Sequence, residues 1–249
     1  WALLLMCQYS QEVISGALVG VHQETYCKYA MPMIKAISSL TYDIIDFSNR
    51  FAGNWHYWTF SVDGIHCRIY EGRDPFWKGL YSHKSHGPGY SYQVATAVTT
   101  GHIISVHGPF PAGKWPDDKM FKETLANQIV EGEEMGVADA GYAYRGLARW
   151  IYPAYWRTKR GQREGVPMNV LHENIRARQE QTNCRLSKFN CISSIFRHPK
   201  QLHHYFFNAV VCVVQLEIMA GLLPIFDVIP CPEYPPDHPR NNNIGGTYS

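Results

Sequence analysis

The chain has 249 residues, 45% of them hydrophobic and 18% charged, a composition that excludes disorder throughout and suits one main domain with an appendage. Lys and Arg number 23 against 21 Asp and Glu, a net charge of +2, so nucleic-acid binding must be read from local clusters and not from the total. The seven Cys are spread thinly and include no CxxC pair, which excludes a disulfide-stapled secreted scaffold and favours a reducing compartment.

The opening stretch WALLLMCQYS lacks a basic region and a small-residue cleavage site, so it reads as a helix entered part-way and not as a signal peptide. Residues 1–46 read as helical, with apolar positions three and four apart in EVISGALVG and again in KYAMPMIKAISSL. A Gly-centred turn precedes a helix beginning near Gln23, the pattern of a helix-turn-helix or, equally, of a packed helical hairpin. From Trp55 the period changes, and three strand-like runs follow: HYWTFSVDGIHCRIYE, YSYQVATAVTT and HIISVHGPF. DDKMFKETLANQIVEG then reads as a helix with Asp117 and Asp118 in its first turn, where the helix dipole favours acids. The short apolar run in EEMGVADAGYA ends in Asp139. The resulting order, three strands, a helix and a strand, predicts a mixed sheet flanked by helices.

Residues 145–163, RGLARWIYPAYWRTKRGQR, hold six basic residues and no acid, interleaved with Trp150, Tyr152, Tyr155 and Trp156. Cations for a phosphate backbone and rings for unstacked bases make a strand-binding surface, and a solvated insertion loop is the plain alternative. A helix is expected from Asn169 to Phe189. Tyr205 to Phe226 is long enough to cross a bilayer, but Asn208, Gln215 and Glu217 favour a buried core helix. The final Pro-, Asn- and Gly-rich stretch, 227–249, reads as a disordered tail. Cys184, Cys191, His198 and His203 match no standard zinc-finger spacing.

Asp63 and Asp139 each follow an apolar strand-like run directly, in FSVD and GVAD. Neighbouring parallel strands would bring two such carboxylates together, and hard divalent cations take oxygen ligands of that kind. Taken singly, Asp63 before Gly64 also reads as a turn residue, and Asp117 as a helix N-terminal acid.

The strings SVDGIHCRIYE, YSHKSHGPGYSYQVA, GPFPAGKWPDDKMF, GVADAGYAYRG and HENIRARQEQTNCRLSKF, in this order, resemble the DDE superfamily endonucleases, the transposase domains of PIF/Harbinger-type transposons and their domesticated relatives. The resemblance spans residues 47–226 and implies a ribonuclease H-like fold, an α/β architecture with a mixed sheet flanked by helices. It matches Asp63 to the first catalytic aspartate, Asp139 to the second and Glu180 to the catalytic glutamate, with Asp117 as a further metal ligand. It implies two Mg²⁺ or Mn²⁺ ions held by these four acids, DNA as substrate, cleavage and strand transfer of phosphodiester bonds, and a nuclear location. A separate Myb-like DNA-binding partner and a homo-oligomer go with that family, and no membrane does. Ile65 departs from the family, which often has Thr there. Lys84, Arg145, Arg149, Arg157, Lys159, Arg160 and Arg176 are the expected DNA contacts. A rival reading keeps the fold and DNA binding without cleavage, and a second is an enzyme acting on RNA or hybrid strands.

Overall fold

The computed structural model describes residues 1–52, 58–70, 77–83, 85–139, 142, 147, 149–152 and 166–222. The expected tail and most of the basic stretch, including Arg145, Arg157, Lys159 and Arg160, lie outside the described residues, as does Lys84.

Three helices open the chain: α1 (Ala2–Gln8), α2 (Glu12–Leu18) and α3 (Gln23–Ser39), followed by the short α4 (Thr41–Ile44). Gly20, at φ +75°, makes the left-handed turn after α2, and the His22 side chain caps α3 by accepting from the Glu24 amide at 3.4 Å. α3 buries Tyr26, Ala30, Ile34 and Ser38, one residue per turn, so a single stripe faces the core.

The sheet contains β1 (Trp58–Arg68), β2 (Tyr81–Ser82), β3 (Gly87–Ala97), β4 (Ile103–Pro111), β5 (Met135–Val137) and β6 (Ile151–Tyr152). Among the described residues, α5 (Trp77–Leu80) and α6 (Asp117–Glu123) interrupt this run; then come α7 (Val166–Ser187), α8 (Asn190–Ser193) and α9 (His203–Met219). β1, β3 and β4 form an antiparallel meander, with Asp63 opposite Val94 and Val94 opposite Val106. On its other side β1 pairs β5 in parallel, and β5 pairs β6 in parallel. The chain is therefore a mixed α/β protein whose mixed sheet runs β4-β3-β1-β5-β6 and is flanked by helices.

Alternate residues of each strand face opposite layers. Ile65, Cys67, Tyr92 and Val94 join α1, α3 and α9 in one core cluster. Phe60, Val62, Ala95 and Ala97 pack with Phe121, Leu125, Tyr142 and Ile151 in another. Both faces of the sheet are therefore covered, and β1 and β3 bury polar residues as well as apolar ones, Thr59, Ser61, Gln93 and Thr96 among them.

The apolar segment of bilayer length lies in α9 as far as Met219, with Phe206, Phe207, Val210, Val211 and Val214 fully buried. Its polar residues are accommodated in place: the buried Gln215 accepts from the Ile103 amide at 2.7 Å, and Glu217 pairs with Arg185 at 3.9 Å. The helix expected from residue 117 is shorter than its sequence pattern: α6 stops at Glu123, and a 3₁₀ turn covers Ala126–Gln128. Thr124 ends it, its hydroxyl donating to the Met120 carbonyl at 2.7 Å and to Gln93 Oε1 at 2.9 Å. β6 lies inside the basic, aromatic stretch, with Ile151 buried opposite Gly136, so this portion is sheet and not insertion loop.

Candidate active site

Asp63 stands in the middle of β1, and Asp139 two residues beyond the end of β5. Ser61 is level with Val137 across the parallel ladder, so both acids lie the same two residues further along adjacent strands. α7 crosses this end of the sheet. Asp63, Asp139, Arg176, Gln179 and Glu180 line one small cleft of about 20 Å³.

A polar relay orients the first acid. Asn183 donates from Nδ2 to Asp63 Oδ2 at 2.8 Å, while the Gly64 amide donates to Asp63 Oδ1, also at 2.8 Å. Asn183 Oδ1 accepts from the buried Gln179 at 3.2 Å, and Gln179 accepts from Thr96 Oγ1 at 2.7 Å. Gln179 and Asn183 are four apart on α7 and so share a helix face. α7 is itself pinned by the buried Arg178, which donates to the carbonyls of Val98 and Thr99 at the β3–β4 turn.

Asp117, in the first turn of α6, approaches β1 from the other layer. Its carboxylate lies against the Cα of Gly64, where any β-carbon would collide with it, so a residue without a side chain next to Asp63 admits the third aspartate. The fully buried Tyr142 feels the charge of all three. Burial first, and then the charges of Asp117, Asp63 and Asp139, push its phenol well above the usual tyrosine range. Gln93 Nε2 donates to the same hydroxyl at 3.5 Å, and Phe121 meets the ring edge-on at 6.2 Å.

Glu180 lines the cleft but turns to solvent. Its side chain is 64% exposed and its carboxylate accepts from Arg176 Nη2 at 3.3 Å, one helical turn back. Among the described residues, no three His, Cys, Asp or Glu side chains form a group that could hold a metal ion as placed. The donors at hand, hard carboxylate oxygens, nonetheless suit Mg²⁺ or Mn²⁺ in kind. Arg149 is elsewhere, stacked on Trp150 at 4.1 Å and 3.8 Å from Glu131 in a solvated pair.

The two histidines of the Cys184–His203 stretch are engaged in other contacts. Tyr92 and His203 share a hydrogen bond of 2.7 Å, and His198 sits between Tyr9 at 2.8 Å and Glu12 at 3.0 Å.

Sequence reasoning singled out the acids and Arg176 but missed Gln179, Asn183 and Gln93. The signal for the first two was present: Arg176, Gln179, Glu180 and Asn183 recur at helical spacing on one face of a helix with few apolar residues. Gln93 had none, since a single amide in an apolar strand looks like a solvent-facing residue. Compared with known proteins, no family model, curated protein or solved structure matches the chain.

Proposed function

We propose that this chain is the core of a metal-dependent DNA endonuclease or transposase of the DDE type, built on a ribonuclease H-like sheet. The observation that carries the reading is that carboxylates from β1, from the end of β5 and from α7 line a single cleft. The strand order supports it: an antiparallel meander followed by two parallel strands is the arrangement that the motif resemblance implies.

Asp63 and Asp139 would hold Mg²⁺ or Mn²⁺, with Glu180 and Asp117 completing the donor set. Such ions, when bound, activate an attacking oxygen and stabilise the leaving one. The chain's own residues do the rest. Asn183 and the Gly64 amide fix the Asp63 carboxylate so that its orientation is set before substrate arrives. Arg176, beside the acids, is placed to meet a phosphate oxygen, and in doing so it would release Glu180 into the cleft. DNA is the proposed partner, together with a second copy of the chain or a Myb-like protein, in the nucleus.

Cleavage of plasmid or terminal-repeat DNA in the presence of Mg²⁺ or Mn²⁺ tests this reading. The Asp63→Asn and Asp139→Asn variants should lose cleavage while retaining their unfolding temperature. Activity that survives Asp63→Ala would remove the assignment.

A second reading keeps the fold and DNA binding without cleavage. It is favoured by the pairing of Glu180 with Arg176, which turns that carboxylate to solvent. Binding of DNA by the wild type, with no cleavage under either ion, would select it.

A further inference from the structure

Ser61 lines the same cleft but takes no part in the relay that orients Asp63. It lies two residues before Asp63 on β1, so the two side chains share one face of the strand. β1 is paired here on both sides, with Ser61 opposite Thr96 of β3 and level with Val137 of β5, two residues before Asp139. Both ladders therefore hold the serine in fixed relation to the two aspartates. It is only 2% exposed, and its hydroxyl has no hydrogen-bond partner among the described residues. Neighbouring buried hydroxyls do have partners: Thr59 donates to Glu134 and Thr96 to Gln179, each at 2.7 Å. Burying a polar atom without a partner is unfavourable, so a hydroxyl kept that way in the wall of a cleft marks a place for a guest.

We propose that Ser61 Oγ is a further ligand of the divalent cation that Asp63 and Asp139 hold, a neutral oxygen beside two carboxylates. The inference rests on the divalent-ion reading of the cleft and adds one residue of this chain to it. At about 20 Å³ the cleft has room for about one water-sized guest, so an ion that meets the acids there also meets the serine. Mg²⁺ and Mn²⁺ take hard oxygen ligands, and a hydroxyl on Mg²⁺ recurs in phosphate-binding loops. A further carboxylate at this position would repel an approaching phosphate, whereas a hydroxyl adds an oxygen without adding charge. The strand ladders fix that oxygen before any ion arrives.

The test measures Mn²⁺ binding to the full chain, without DNA, from the loss of the free-ion electron spin resonance signal, together with thermal unfolding of the metal-free chain. Ser61→Ala should bind Mn²⁺ about tenfold more weakly, a loss of about 1.4 kcal/mol. Its metal-free unfolding temperature should stay level or rise, because the deleted hydroxyl has no bond to lose. Ser61→Cys sets a soft sulfur at the same place and should shift preference from Mn²⁺ towards Cd²⁺, with a near-ultraviolet thiolate-to-cadmium band beyond that of the wild-type cysteines. Adding Asp63→Asn to Ser61→Cys should remove the extra band. Mn²⁺ binding that Asp63→Asn abolishes but Ser61→Ala leaves unchanged overturns the role of the serine and leaves the ion reading standing. Weaker Mn²⁺ binding in Ser61→Ala without an added cadmium band in Ser61→Cys overturns direct ligation. No Mn²⁺ binding by the wild type overturns both this proposal and the ion reading beneath it.

Discussion

Replacing Arg50 by Ala tests how the two aspartate strands are held in line. Glu134, immediately before β5, is only 1% exposed, and Arg50 grips its carboxylate with two bonds of 2.8 and 2.9 Å. Thr59 of β1 donates to the same group at 2.7 Å and the Val130 amide at 3.1 Å. This cluster fastens the start of β5 to β1, and with it the alignment of Asp139 with Asp63. Removing the guanidinium leaves a buried, uncompensated carboxylate, which costs about 3–5 kcal/mol. For a domain of this size that is a fall in unfolding temperature of roughly 6–20 °C, at about 2–4 °C per kcal/mol. Arg50→Met combined with Glu134→Leu removes both ends of the pair and should recover most of the loss. Thermal and urea unfolding of the wild type, both single variants and the double variant complete the cycle. A single-variant loss below about 1 kcal/mol, or a double variant no more stable than Arg50→Ala, would refute the clamp.

The same carboxylate makes an acid limit. Burial alone would raise the Glu134 pKa, but the bonds from Arg50, Thr59 and Val130 outweigh it and hold the value below the ordinary 4.5. Its contribution is therefore complete above that pH and is lost as the pH falls through the lowered value, so Glu134→Gln should flatten the acid side of the stability profile. His172 and His203 act at a higher pH: burial, helped by the charge of Arg176 on His172 and by His204 on His203, lowers them from 6.5 to about 4 and about 3. Unfolding lets them take up protons, so stability should decline as the pH drops from 6.5 towards 4, and less steeply in His203→Gln. Asn183→Ala should reduce divalent-ion affinity about 10–100-fold by releasing Asp63, measured by titration with Mn²⁺. Arg176→Ala removes a solvated pair and should change stability by less than about 1 kcal/mol while strengthening ion binding, because Glu180 is freed.

Much of the cleft was legible in the chain because each acid carries its own local mark. Asp63 and Asp139 each directly follow an apolar strand-like run, and Glu180 and Arg176 lie one turn apart on a long helix. What supports those acids was not legible. Gly64 looked like half of a turn, yet it lies inside β1 and makes room for Asp117, a fact that depends on α6 docking against the opposite layer. Tyr142 is fully buried and feels the charges of all three aspartates, which no pattern in the sequence around it marks. The basic, aromatic stretch suggested a surface, yet Ile151 within it is sheet core.

Period and punctuation in the amino-acid order were enough for most of the helices, the long strands and the acids that follow apolar runs, because those features depend on neighbours a few positions away. Only the packed chain decided that Asn183 holds Asp63, that Glu180 turns to Arg176, and that Ser61 lines the cleft with the acids. Each of these depends on which faces meet across the sheet, and that is set by burial of the whole apolar surface together and not by any segment alone.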